Sequence, residues 1–195
     1  MDFIEITGQP CSGKTSFITQ RVLAGVEFQA YEQGYKIKVL NFFKGIRYLG
    51  ISRTKVLFAW SLKEKTSLFF RLNIFRNAVS KFGLFRSLNN SKSNISKVFL
   101  VDEGLSHLPF LFPKTETLSV LCFMSEELKK IDVTFLRAPG NEVIKERLQN
   151  RGHKRLKFTS LQTFIKRNNE IEGFLLKRYP NLCAELKVSE YAQDI

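Results

Sequence analysis

Cysteine and histidine are scarce in this chain. Cys11, Cys122 and Cys183 lie far apart and form no CxxC pair, and the two histidines, His107 and His153, are remote from each other. This spacing argues against a disulfide framework and against a structural zinc site. The expected state is three reduced thiols in a cytoplasmic protein. No apolar run approaches the roughly 20 residues that a membrane-spanning helix needs. The richest stretches, Val56 to Trp60 and Leu68 to Leu72, are interrupted by Lys63, Glu64, Lys65 and Arg71. The opening MDFIEIT has neither a basic start nor a cleavable apolar segment, so no leader is expected. There is no internal repeat and no long low-complexity tract. Acidic residues are missing from one region in particular. Between Lys44 and Lys97 twelve Lys or Arg face a single acid, Glu64, so that this segment carries +11 of the net +13.

What remains is an ordinary globular composition. The 195 residues, 44% hydrophobic and 25% charged, suit one domain with a full core. Short apolar runs alternate with helical patterns. Asp2 to Thr7 reads as a buried strand that stops at Gly8. From Lys14 to Gly25, Phe17, Ile18, Val22 and Leu23 fit one face of a helix. Tyr35 to Phe43 reads as strand two, Lys97 to Gly104 as strand three and Lys130 to Pro139 as strand four. Asn141 to Gly152 reads as a helix with Asn141 as N-cap and Gly152 as its end. Ser160 to Arg178 is a further helix stopped by Pro180, and Cys183 to Ser189 a short last strand. Strands separated by helices predict an α/β fold with right-handed crossovers and a parallel sheet covered on both faces. Between strands two and three, Ser52 to Leu88 carries Phe58, Leu62, Phe69, Leu72, Phe75, Val79 and Phe82 at helical spacing. This predicts an amphipathic helical insertion, closed by the polar loop Asn89 to Asn94.

The segment Gly8-Gln9-Pro10-Cys11-Ser12-Gly13-Lys14-Thr15 fits GxxxxGK[ST] in full, after a predicted strand and at the start of a predicted helix. Its glycines allow backbone angles closed to other residues, and successive N–H groups can then converge on an anion. The positive end of the following helix adds to that field. Lys14 can reach β- and γ-phosphate oxygens, the Thr15 hydroxyl can ligate Mg²⁺, and Ser16 can contact the α-phosphate. The expected ligand is therefore a nucleoside triphosphate. ATP is preferred over GTP because no NKxD segment is present.

Asp102 and Glu103 end predicted strand three, at the edge of an open sheet where ligands bind. Asp102 is expected on the metal side. Glu103 is expected to act as base or to orient the acceptor, although the two roles are interchangeable from sequence. Arg147 and Arg151 stand four apart on one helical face, followed by His153, Lys154 and Arg155. Arginine forks match phosphate oxygens and neutralise charge in phosphoryl transfer. Taken alone, the run equally fits a solvated basic helix end.

In order, the loop, the acid pair, the arginines after strand four and the terminal helix and strand resemble the nucleoside monophosphate kinase superfamily, its thymidylate kinase-like members above all. The resemblance spans about 150 residues by order and is specific at the loop. It implies a P-loop NTPase fold with a five-stranded parallel sheet of order 2-3-1-4-5. It implies a mobile lid over 147–158, with Arg147 near the nucleobase and Arg151 on the phosphates, and an acceptor-binding helical region over 44–96. Residues near VSEYAQD would flank the adenine. Three departures bear on the acceptor. Asp102-Glu103-Gly104 replaces the Asp-Arg pair of thymidylate kinases. Pro10 and Cys11 stand where they usually carry Asp or Gly. The acceptor-side segment is unusually basic and aromatic.

The expected activity is transfer of the γ-phosphate of Mg-ATP to a small anionic acceptor such as a nucleotide, sugar or sugar phosphate. The rival is a P-loop ATPase or nucleotide-gated module acting on a protein, membrane or nucleic acid. The basic segment contains Tyr48, Phe58, Trp60, Phe69, Phe70, Phe75, Phe82 and Phe85. It reads as a wet-faced helical hairpin, as an anionic acceptor platform, or as a face resting on an anionic membrane. Nucleic acid ranks lower, because no recognisable nucleic-acid module is present.

Overall fold

A computed structural model describes residues 3–25, 28–31, 34–90, 98–152 and 154–178. Strand β1 (Phe3–Gly8) is the centre of the sheet, and all its residues but Ile4 are buried. It pairs in parallel with β3 (Val98–Asp102) on one side and with β4 (Asp132–Leu136) on the other. Strand β2 (Phe28–Ala30) adds to the far side of β3, giving the order β2-β3-β1-β4. All pairings are parallel, as strands joined by helical crossovers require. The expected fifth strand, Cys183 to Ser189, lies outside the described residues, as do Pro180, the adenine-side VSEYAQD segment and most of the Asn89 to Asn94 loop.

Helix α1 (Lys14–Ala24) follows β1 and buries Ile18 against Ile6 and Leu100. The expected apolar face is narrower than its sequence suggested, since Leu23 is exposed. Tyr35 to Phe43 is not strand two. It opens α2 (Tyr35–Lys63), and the second strand is the short Phe28–Ala30. The alternation of Lys36, Ile37, Lys38 and Val39 imitates a strand, yet all four are exposed. The stripe that decides the matter is Asn41, Gly45 and Leu49, buried at helical spacing with only one large apolar member.

This stripe exists for the partner helix α3 (Leu68–Asn89). A Cβ at Gly45 would overlap the Val79 carbonyl oxygen, and one at Gly83 would overlap the Asn41 carbonyl oxygen. The two backbones touch where no side chain fits between them. The helical insertion therefore begins at Tyr35, earlier than Ser52. The expected apolar stripe also divides: Val79 and Phe82 are buried, whereas Phe58, Leu62, Phe69 and Leu72 are exposed.

At Gly50 α2 leaves helical geometry, with φ 67° and ψ 178°, and its second half buries Leu57 and Ser61. There Arg53 forks onto the buried Glu127 carboxylate, Nη1–Oε1 at 2.7 Å and Nη2–Oε2 at 3.1 Å, while Tyr48 donates to the same group. The guanidinium also lies over the Phe123 and Phe82 rings. Fork geometry with every acceptor satisfied is the arrangement in which a buried ion pair is tolerated.

After β3 the chain forms a turn of 3₁₀ helix (Leu105–His107) and short helices α4 (Leu108–Leu111), α5 (Thr117–Phe123) and α6 (Ser125–Leu128). Beyond β4 come α7 (Asn141–Arg151), a 3₁₀ turn (Lys154–Lys157) and α8 (Leu161–Arg178). Gly140, not Asn141, is the N-cap of α7. Asn141 is its first helical residue, and its side chain accepts from Asn169 Nδ2 instead. Gly152 ends α7 in the left-handed region as expected.

The glycine contact yields a paired prediction. Gly83→Ala should destabilise the protein by about 1–3 kcal/mol through overpacking. Gly173→Ala, in α8 with open space around it, should stabilise it by about 0.5–1 kcal/mol through helix propensity. Urea unfolding of the two variants reads both signs.

Candidate functional site

The loop between β1 and α1 turns back on itself. The Ser12 N–H donates to the Gln9 carbonyl at 3.2 Å, and Gly13, left-handed at φ 96°, starts α1. Gly8 adopts φ 148°, and a Cβ there would strike the Leu136 carbonyl. Among the described residues only two non-glycines have positive φ, Cys11 at 67° and Glu103 at 56°. Both lie in this site, which is where locally strained backbone is characteristically found.

Three contacts fix the loop from outside. Cys11 is buried in an apolar cluster with Ile144 and Leu148 of α7 and Phe164 and Ile165 of α8. Arg147 of α7 donates Nη1 to the Cys11 carbonyl at 3.1 Å. Gln9 is fully buried and donates Nε2 to Asn169 Oδ1 at 2.8 Å and to the Glu172 carboxylate of α8. Glu172 in turn accepts from the Ala138 N–H at the end of β4. The Gln9, Asn169 and Glu172 network has no local sequence signal, because its partners are about 160 residues apart.

Lys14 is buried, with Nζ donating to the Gln9 carbonyl at 2.8 Å and the Gly8 carbonyl at 3.3 Å. It lies 3.4 Å from Glu103 Oε1. Thr15 and Ser16 are exposed on the first turn of α1, and Thr15 Oγ1 donates to Asp102 Oδ2 at 3.2 Å. The hydroxyl and carboxylate expected on a metal are thus brought together. Both are hard oxygen donors, which fits Mg²⁺, an ion that takes one or two protein oxygens and completes its shell with water and phosphate. Among the described residues no group of three or more His, Cys, Asp or Glu could hold a metal by itself. Pro10 and Ser12 are half-buried in the loop. Arg151 is exposed, one turn beyond Arg147 on α7.

Glu103 is the most heavily contacted of these residues. Its N–H donates to the Ile6 carbonyl, and its own carbonyl accepts from Lys81 Nζ of α3. Its carboxylate faces Lys14 on one side and His107 Nε2, at 3.6 Å, on the other. The charge of His107 first, then those of Lys81 and Lys14, hold the Glu103 carboxyl far below the usual carboxylate range. Loss of water around Asp102, and then the adjacent Glu103 charge, push the Asp102 carboxyl the other way. Burial lowers the Lys81 ammonium. Gly104 completes the turn: a Cβ there would strike the Glu5 carboxylate, which accepts the Leu105 and Ser106 N–H groups at 2.9 and 2.8 Å. Lys81, His107 and Glu5 were not among the expected site residues. The glycine after the acid pair was the one local signal of this turn.

A cleft of about 420 Å³ lies between the α2–α3 connection, the segment after α4 and the start of α8. Lys65, Lys114 and Arg167 supply positive charge, and Ile74, Phe158 and Asn168 contribute apolar and amide walls. Its acid, Glu64, accepts the Lys114 N–H. Helix α8 serves both places, with Asn168 in the cleft and Asn169 and Glu172 at the loop.

The depressed Glu103 carboxyl sets a pH dependence. Its ionised form contributes stability that is fully present above the ordinary carboxylate range and is lost progressively as pH falls below that range toward the depressed value. Glu103→Gln should therefore lower the urea midpoint most near pH 7, and the gap to the unsubstituted protein should narrow by about pH 3. A gap that stays constant with pH would rule out the charge as its source.

No protein-family model matches the chain, and no curated protein matches it.

Proposed function

We propose that the protein is an ATP-dependent phosphotransferase of the P-loop type, moving the γ-phosphate of Mg-ATP to a small anionic acceptor. The observation that carries this reading is the Thr15–Asp102 contact. It joins the GxxxxGKT loop to the acid at the end of a central parallel strand, where a P-loop enzyme holds its metal. The strand order β2-β3-β1-β4 supports the same reading. The complete fold would be a P-loop NTPase sheet of order 2-3-1-4-5, with Cys183 to Ser189 supplying the fifth strand.

In this reading the loop amides of residues 9–14 cradle the phosphates. Lys14 exchanges its carbonyl partners for phosphate oxygens. Thr15 and Asp102 would hold Mg²⁺, which would supply neutralisation of the phosphate charge. Arg147 lies against the loop and Arg151 one turn farther along α7, which supports reading this segment as the expected lid (147–158), whose closure would bring Arg151 onto the phosphates and exclude water. Glu103 is a weak base because its carboxyl is held ionised. It orients the acceptor hydroxyl, which suffices for a loose phosphoryl-transfer transition state. The cleft with Lys65, Lys114 and Arg167 takes the acceptor, its cations matching a phosphate or carboxylate and Phe158 offering a face to a ring.

A second reading is favoured by the Asp-Glu pair itself: an ATPase in which Glu103 orients water. Product analysis separates the two. Incubation with γ-labelled ATP and a panel of nucleotides, sugars and sugar phosphates should label an acceptor. Release of labelled phosphate alone, unaffected by any acceptor, would favour the ATPase.

Lys14→Ala should reduce transfer by about 10²–10³-fold, the scale for loss of one charge-stabilising group, with an unchanged circular dichroism spectrum. Arg151→Ala should lower kcat more than it weakens ATP binding by calorimetry. Equal losses would remove its transition-state role.

A further inference from the structure

The outer side of the α2–α3 hairpin combines two features that seldom share a free surface. Its one acid, Glu64, is buried, so the outer side carries no exposed carboxylate. Lys36, Lys44, Arg47, Lys55, Lys63 and Arg76 are exposed there. Large apolar side chains stand among them. Phe69 is 83% exposed, Ile51 77%, Leu68 64% and Phe43 63%.

Helical spacing sorts these residues into stripes. In the first half of α2, Leu40 and Phe43 share a face with Lys36, Lys44 and Arg47. In the second half, Ile51, Lys55, Phe58 and Leu62 fall on one line. At the start of α3, Leu68, Phe69, Leu72 and Arg76 do the same. Ring contacts link the two stripes of α2 through Phe75 of α3. Phe43 packs edge-on to Phe42 at 5.6 Å, Phe42 to Phe75 at 6.1 Å, and Phe75 to Phe58 at 5.3 Å.

An exposed apolar patch of this extent marks an interaction surface, and its charge selects the occupant. A second copy would bring the same uncompensated positive charge against it. Single-stranded nucleic acid would stack on Phe43, Phe58 and Phe69 but would leave the exposed aliphatic Leu40, Ile51, Leu62 and Leu72 without an apolar partner. An anionic bilayer satisfies both features, with apolar side chains entering the acyl boundary and long cationic side chains reaching the headgroups. Among the described residues no helix is long and apolar enough to cross a membrane. We propose that the outer face of the α2–α3 hairpin docks in plane on an anionic membrane surface. This surface requires no nucleotide and does not depend on the phosphotransfer reading.

The test is flotation of the full chain with phosphatidylcholine vesicles containing about 30% phosphatidylserine, and with pure phosphatidylcholine vesicles, across a salt series without nucleotide. The expected result is binding to the anionic vesicles that weakens steeply with salt and is far weaker on the zwitterionic ones. Phe69→Ser/Leu72→Ser, both exposed and so compatible with the native fold, should reduce binding at least tenfold. Lys55→Glu/Lys63→Glu should reduce it further, at about fivefold or more for each charge lost. Equal binding to both vesicle types, no binding to either, or unchanged binding by both variants would overturn the proposal. So would concentration-dependent dimerisation, or oligonucleotide binding, that the same substitutions abolish while vesicle binding persists.

Discussion

The site depends on the placement of Glu103. Its backbone is tied to β1 through Ile6 and to the helical hairpin through Lys81, and its carboxylate lies between Lys14 and His107. Four separate pieces of chain therefore meet at one residue in a left-handed conformation that costs of order 1–3 kcal/mol. Such a conformation persists only when its surroundings over-determine it, and here they do. The buried Glu5 carboxylate, capped by the Leu105 and Ser106 amides, fixes the turn from beneath. Asp102 is thereby left at the strand end with its carboxylate on Thr15. The opposite shifts of the two neighbouring carboxyls follow from this arrangement: one is surrounded by cations, the other by reduced solvent and a like charge.

The parts legible in the sequence are those written by local rules. The loop is a contiguous motif bounded by a strand and a helix, and β1, β3, β4, α1, α7 and α8 all lie close to where periodicity puts them. The Thr15–Asp102 encounter was also readable, because the ends of neighbouring parallel strands converge on one edge. Tyr35 to Phe43 mimics a strand because alternation of Lys with Ile and Val is ordinarily a strand signal, yet it is helical. The true buried line there consists of Asn41 and Gly45, residues that no hydrophobic count weighs. The Gln9 and Glu172 pairing and the reach of Lys81 to Glu103 were invisible for a different reason. They join segments whose proximity is created by the finished fold.

The hairpin shows how close backbone packing and surface chemistry are linked. With glycine at positions 45 and 83, α2 and α3 approach until main chain meets main chain. Little apolar side-chain volume is then needed between them at that point. Much of their aromatic and aliphatic content is left for other faces: inward at Phe82, Phe85 and Leu88, and outward at Phe43, Phe58 and Phe69. The Arg53–Glu127 fork anchors the inward side to the helices after β3. Both the cleft beside the α2–α3 connection and the outer face depend on that anchorage.

The burial of Cys11 gives the molecule an internal clock. This residue is buried within the β1–α1 loop, packed by α7 and α8, while Cys122 stands open to solvent. An alkylating reagent meets Cys122 at once, but reaches Cys11 only when the loop and the two helices part. The lag between the two reactions is a direct measure of how often the native ensemble breathes at this point, read from a side chain the protein already carries.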